Sequence, residues 1–173
     1  MAIAPRHLAA VSALALTGSE TVLEIGCGHG VAVRLVLDWL TTGTITALDR
    51  SAKMIAAVEA GAADALASGR LRTRAEALEE ADFGEERFDA VFAVNVDFNL
   101  RLGTRWPAML KSLLKPEGRV ILAFDPPPDS SKGHGFAIRS LDRLAAAGFA
   151  ATLLPAHGRV TVIRAALAKA EQG

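Results

Sequence analysis

The chain predicts an α/β fold: a doubly wound, seven-stranded, mostly parallel sheet ending in an antiparallel C-terminal hairpin. Three observations carry that prediction. Short β-rich runs alternate with stretches of helical periodicity along the 173 residues, the order that gives a parallel sheet with helices on both faces. A turn with glycine at positions 26, 28 and 30 separates the first strand from the helix after it. The last two strands are joined only by Pro155-Ala156-His157-Gly158. A parallel crossover needs about a dozen residues or more, so these two strands must pair antiparallel.

The elements follow in order. Pro5 suits the first turn of an amphipathic helix with Leu8, Val11, Leu14 and Ala15 on one face. Arg6 and the apolar run Leu8 to Leu16 weakly imitate a secretory signal, but a helix capping the domain accounts for them better. Thr17 to Glu20 is a turn, and Thr21 to Ile25 the first strand. A helix from Val31 to Leu40 carries Ala32, Leu35, Val36, Trp39 and Leu40 at helical spacing. Thr41-Thr42-Gly43 breaks it, and Thr44 to Leu48 is the second strand, ending at Asp49. Ser51 is a good N-cap for a helix with Met54, Ile55, Val58, Ala62 and Leu66, stopped by Gly69.

Arg70 to Ala75 reads as an edge strand and Leu78 to Glu86 as an acidic loop. Phe88 to Val94 is apolar on both faces, as a buried parallel strand must be. Pro107 opens a helix that turns Met109, Leu110 and Leu113 inward and ends at Pro116-Glu117-Gly118. Arg119 to Phe124 is the fifth strand, and Asp125 to Gly135 a loop rich in Pro, Ser and Gly. A helix from Arg139 to Ala147 stops at Gly148, and strands from Phe149 to Leu154 and Arg159 to Leu167 close the sheet. One domain over residues 1–173 is expected, its first 20 residues forming an N-terminal cap helix.

Composition excludes several classes. Lys plus Arg and Asp plus Glu both number 19, so the chain lacks the basic footprint of a protein that grips a phosphate backbone, and no nucleic-acid partner is expected. No apolar run approaches the roughly 20 residues that span a bilayer, so no membrane partner is expected either. Cys27 is the one cysteine. It excludes an intramolecular disulfide and suits a reducing, cytoplasmic compartment.

The chemistry concentrates in Val22 to Gly30. Glycines at alternate positions let the backbone turn sharply and approach a ligand closely, and the N–H groups of the following helix point into that turn. This is a loop for a nucleotide or nucleoside cofactor. The dinucleotide fingerprint G-x-G-x-x-G would need a sixth-position glycine where Val31 stands; the third glycine comes one residue early. Asp49, at the end of the second strand, falls where an acid accepts hydrogen bonds from ribose hydroxyls. A ribose is implied, but not a dinucleotide.

Glu24-Ile25-Gly26-Cys27-Gly28-His29-Gly30 resembles the first motif of the class I S-adenosylmethionine-dependent methyltransferases. Ala47-Leu48-Asp49-Arg50-Ser51 with Met54 resembles the segment after their second strand, and Phe88-Asp89-Ala90-Val91 their fourth. Leu113-Leu114-Lys115-Pro116-Glu117-Gly118 resembles the turn before their fifth strand, with Glu117 replacing a glycine, and Ala147-Gly148-Phe149 the lead into their final hairpin. The resemblance runs from Thr21 to about Leu167 and implies a Rossmann-like methyltransferase fold with S-adenosyl-L-methionine as cofactor.

Residue by residue, the resemblance implies that the backbone from Gly26 through Cys27 and Gly28 to Gly30 lines the methionine part of the cofactor, with Glu24 bracing the loop. Asp49 would take the ribose hydroxyls, and Arg50 and Met54 would flank the adenine. Glu76, with Ala77, would face the adenine amino group. Asn95 would meet the methionine end and open onto the acceptor. Other readings stand beside these: Met54 as a core residue, Glu76 as a solvated charge, and Cys27 as a small packed residue rather than a nucleophile.

Methyl transfer from a sulfonium draws mainly on orientation, and a base is needed only when the acceptor must lose its proton early. Residues near the expected pocket mouth are His29, Asp97, Asp125 and His134. Asp97 and His134 are the expected catalytic contacts, each with the alternative of an ordinary loop residue. Asp125-Pro126-Pro127-Pro128 follows the fifth strand and no aromatic comes next, so it is not the Asn/Asp-Pro-Pro-Tyr/Phe motif of enzymes that methylate nucleobase or glutamine amino groups. No metal site is expected, the alternative being a convergence of Asn95, Asp97 and Asp125. The short segments left to cover the acceptor suggest a small molecule and a possible homodimer. The competing readings are a non-catalytic cofactor-binding or regulatory module, a partner-dependent protein or RNA methyltransferase, and a nicotinamide oxidoreductase.

Overall fold

A computed structural model describes residues 2–127, 132–155 and 158–168. The helices are α1 (Pro5–Leu14), α2 (Val31–Trp39), α3 (Ala52–Gly61), α4 (Ala63–Ala67), α5 (Phe98–Leu102), α6 (Trp106–Leu113) and α7 (Lys132–Ala146). The strands are β1 (Thr21–Ile25), β2 (Thr44–Leu48), β3 (Leu71–Arg74), β4 (Phe88–Val94), β5 (Leu114–Phe124), β6 (Phe149–Leu153) and β7 (Thr161–Leu167). They form a seven-stranded sheet of order β3-β2-β1-β4-β5-β7-β6. The five strands β1 to β5 run parallel, and β7 is antiparallel to both β5 and β6. The antiparallel hairpin expected from its short connection is therefore present.

Alternation along the strands builds two cores, one on each face. Val22, Ile45, Ala90, Phe92 and Ile121 pack under α1, α2 and α3. Leu23, Leu48, Val91, Val120 and Leu122 pack under α5, α6 and α7. Burial on both faces explains the near-continuous apolar runs of these strands.

Several expectations are corrected. Ala10, Val11 and Leu14 face the core from α1, whereas Leu8 is half exposed. In α2, Val33 is buried and Trp39 is 62% exposed. Leu8 and Trp39 instead line a groove between α1 and α2.

The third helix is not continuous. It breaks at Ala62, whose φ of −144° ends α3 and starts α4. Gly61 lies in its last turn, where glycine costs about 1 kcal/mol relative to alanine and where an added Cβ would meet Arg34 Nη1 at 3.0 Å. The segment after β4 contains α5, capped by Asp97 and anchored by the buried Phe98 and Leu102.

Two boundaries also move. Pairing of β5 with β4 begins at Leu114 opposite Phe88, slips across Lys115 to Gly118, and resumes with Arg119 opposite Ala90. Helix α7 begins at Lys132 rather than Arg139, despite Gly133 and Gly135 in its first turns. Phe136 overrides that poor local propensity: it is buried and stacks on Phe124 with ring centroids 4.5 Å apart.

Candidate active site

Because β1 to β5 run parallel, Gly26, Asp49, Ala75, Asn95 and Asp125 all emerge at the same edge of the sheet. Neighbouring strands β1 and β4 mark the point where strand order reverses, and a crevice opens outside the strand ends there.

The glycine loop is tied down on its far side. The N–H groups of Gly26 and Cys27 both donate to the Leu48 carbonyl, at 2.7 and 3.1 Å. Gly28 N–H donates to Asp49 Oδ2 at 2.9 Å, and Ser51 N–H donates to Asp49 Oδ1 at 2.9 Å. All three loop glycines have positive φ, at +73°, +52° and +73°. A Cβ on Gly26 would lie 2.6 Å from Val96 Cγ2, and one on Gly30 would lie 2.9 Å from Val58 Cγ2. At Gly28 nothing lies within 4 Å. Gly26 and Gly30 thus permit packing, while Gly28 leaves open space above the loop.

Two cavities lie along this edge. The first, about 400 Å³, has Asp49, Arg50, Glu76, Ala77 and Leu78 on one side and Asp97, Leu100 and Arg101 on the other. The second, about 270 Å³, lies between the loop and α1 and is lined by Arg6, His7, Glu24, Cys27, Gly28 and His29, among others. Gly26, Val94 and Asn95 border both.

Glu24 dominates the electrostatics of the second cavity. It is 2% exposed, and its Oε2 has no hydrogen-bond partner among the described residues. Burial, and then the neighbouring Asp49 carboxylate, hold its pKa well above the ordinary carboxylate range. Burial also pushes the Cys27 thiol up, with Glu24 and Asp49 adding to the effect. A thiol so held is protonated, which supports packing rather than nucleophilic attack. Burial, then Arg6, lowers the pKa of His7 and keeps the imidazole neutral.

The structure gathers most of the residues expected from sequence. Asp49, Arg50, Glu76 and Ala77 line the first cavity, Glu24, Cys27 and Gly28 the second, and Gly26 and Asn95 both. Gly30 caps α2, and Met54 lines neither cavity. Glu76 pairs with Arg74. Asn95 has a left-handed φ of +56°, and its Oδ1 accepts the Asp125 N–H at 2.7 Å, joining the ends of β4 and β5.

Asp97 lines the first cavity, where Oδ1 accepts the Asn99 N–H at 3.0 Å and Oδ2 lies 3.8 Å from Arg139 Nη2. His134 falls in the first turn of α7, and its side chain is outside the described residues. Among those residues no cluster of His, Cys, Asp and Glu could hold a metal. Sequence reading missed Arg6 and His7 as site residues. Only the docking of α1 across the sheet brings them there, and no local pattern announces it.

A reversed seventh strand, a ribose-type acid after β2 and a glycine loop at the switch point together define the class I methyltransferase fold. A model of the methyltransferase domain family matches residues 22–118, and the chain belongs to that family. S-adenosylmethionine is the cofactor this class uses, as the resemblance implied.

Solved structures give the same fold at low sequence identity. A protein from Nostoc punctiforme described as an O-methyltransferase is 21% identical with a TM-score of 0.74, covering 94% of this chain and 55% of that one. A ribosomal protein L11 methylase from Lactobacillus delbrueckii is 19% identical with a TM-score of 0.71, covering 94% and 77%. The 1,6-didemethyltoxoflavin-N1-methyltransferase of Burkholderia thailandensis, with its substrate and S-adenosylhomocysteine bound, is 20% identical with a TM-score of 0.70, covering 95% and 79%. The chain therefore spans little more than half of the Nostoc protein. No curated protein matches it by sequence.

Proposed function

We propose that the chain transfers the methyl group of S-adenosylmethionine to an N, O or C atom of a small-molecule acceptor. The carrying observation is the pair of adjoining cavities at the switch point, one holding Asp49 and the other the orphaned Glu24 Oε2 beside the open space at Gly28. These features fit the donor. Asp49 would accept from the ribose hydroxyls, with Arg50, Glu76 and Ala77 around the adenine. Glu24, with the Gly26 to Gly30 backbone, would take the amino-acid end.

When bound, the donor supplies a methyl carbon on a sulfonium: the acceptor lone pair bonds to that carbon while the C–S bond breaks and its electron pair returns to sulfur. The chain's own contribution is orientation, which can supply several kcal/mol without a base. Asp97 and His134 are the proposed acceptor contacts. The Asp97 carboxylate is fixed by Asn99 N–H and Arg139, which suits positioning more than proton uptake.

Cavities of this size admit small molecules. The balance of 19 basic and 19 acidic residues fits neither a nucleic acid nor a charged lipid surface as partner. Cys27 as the only cysteine fits a cytoplasmic setting. Among the described residues no helix is long and apolar enough to cross a membrane. A homodimer is the proposed assembly.

Calorimetric titration with S-adenosylhomocysteine and with NAD, followed by isotope-labelled methyl transfer to a small-molecule panel and to intact proteins, tests this reading. Binding of S-adenosylhomocysteine alone, with label appearing on small molecules, is the expected result. Binding of NAD instead overturns the donor assignment. Label on intact proteins only, from a strict monomer in light scattering, overturns the acceptor assignment.

A further inference from the structure

Arg6, which lines the second cavity, belongs to an ion cluster with Asp125 and Arg159. Arg6, from the first turn of α1, places Nη1 3.4 Å from Asp125 Oδ2. Arg159, two residues before β7, places Nη2 3.6 Å from Asp125 Oδ1. The Asp125 N–H donates to Asn95 Oδ1 at 2.7 Å, which fixes the cluster beside a residue that borders both cavities.

Among the described residues the cluster is unbalanced, with two guanidiniums facing one carboxylate. Each reaches it through a single nitrogen, and both distances exceed the roughly 2.7–2.9 Å of a close charge-assisted pair. A guanidinium carries five N–H donors, so one contact apiece leaves both with donor capacity. The Asp125 side chain is 13% exposed, whereas Arg6 and Arg159 are 33% and 55% exposed. The negative charge is thus tucked in and the positive charges face outward. Glu24, the acid that lines the second cavity, is buried at its inner side, and that burial raises its pKa well above the ordinary carboxylate range.

We propose that Arg6 and Arg159 bind a carboxylate on the acceptor, so that the acceptor class is a small organic acid. The two side chains already bracket one carboxylate, that of Asp125, and their exposure leaves them open to a second on the solvent side. Asp125 holds the pair in place and limits its charge to a single excess cation. This assignment rests on the methyl-donor reading above.

The test separates the two. Failure of the wild-type protein to bind S-adenosylhomocysteine would defeat the donor reading, before any acceptor is added. With S-adenosylhomocysteine bound, 3-hydroxybenzoate and its neutral counterpart 3-hydroxybenzamide are titrated and followed by ligand-observed NMR. Wild type should prefer the benzoate by about tenfold. In Arg6→Gln and in Arg159→Gln the preference should fall to about twofold or less, with wild-type Tm.

No preference in wild type, or one kept in either variant, overturns the proposal. The donor carries a carboxylate of its own, so both variants are also titrated with S-adenosylhomocysteine and with 5′-methylthioadenosine, which lacks it. Selective loss of S-adenosylhomocysteine affinity would assign the arginines to the donor and likewise overturn the proposal. Were Arg6→Gln to unfold, the same titrations on Arg159→Gln decide alone.

Discussion

Asp49 Oδ2 accepts the Gly28 backbone N–H at 2.9 Å, so the acid after the second strand holds the glycine loop after the first. With Oδ1 on the Ser51 N–H, the carboxylate is oriented before any ligand arrives. The proposed ribose contact and the loop geometry therefore depend on one side chain.

Replacing Asp49 by Ala should weaken S-adenosylhomocysteine binding at least about tenfold, the equivalent of roughly 1.4 kcal/mol from a lost ribose pair. It should also lower Tm, because two backbone N–H groups lose their acceptor. Asp49→Asn keeps one carbonyl oxygen for the backbone and should recover part of the Tm but not the affinity. Calorimetry and thermal melts read both quantities, and unchanged affinity in the alanine variant would show that another acid holds the ribose.

The three loop glycines should separate by readout. Gly28→Ala meets no atom within 4 Å, so its stability cost is the left-handed backbone alone, about 1–2 kcal/mol. Its methyl group would enter the space assigned to the donor, and binding should fall by far more than stability. Gly26→Ala and Gly30→Ala collide with Val96 and Val58 and should lose stability first. Urea midpoints set against S-adenosylhomocysteine affinities check the contrast. Equal binding loss at all three, in proportion to stability, would contradict an open site at Gly28.

Glu24 should make both stability and binding depend on pH. Burial, followed by repulsion from Asp49, raises its folded-state pKa well above the ordinary 4.5, so the folded chain holds a proton that the unfolded chain releases. The stability of the free protein should therefore fall as pH rises from the unfolded value towards the folded one. Glu24→Gln should be more stable than wild type at neutral pH, and the gap should close below about pH 4.5. If the donor ammonium faces this carboxylate, binding releases the proton. Calorimetry in buffers of different ionisation enthalpy should then show proton release in wild type and none in Glu24→Gln. Absence of release in wild type would remove Glu24 from the amino-acid subsite.

The sequence by itself determined the sheet, its reversed seventh strand and the residues that gather at the strand ends. Those features are written locally: short, near-continuous apolar runs in the strands, a four-residue hairpin link, glycines at alternate positions, and an acid at the end of the next strand. Residues Gly26, Asp49, Glu76 and Asn95 each follow a strand, and parallel strands deliver their ends to one edge whatever packs around them.

Tertiary structure alone decided the rest. Phe136 pulls a glycine-containing stretch into α7 because stacking on Phe124 outweighs weak propensity. Asp97, legible as a loop acid, serves as the cap of α5 and faces Arg139. Arg6 reaches Asp125 across 119 positions of sequence, and Arg159 arrives from the far end of the chain. Contacts of that range are set by how α1 and the hairpin dock on the sheet. No periodicity or spacing records them, and the proposed acceptor end of the site is made of them.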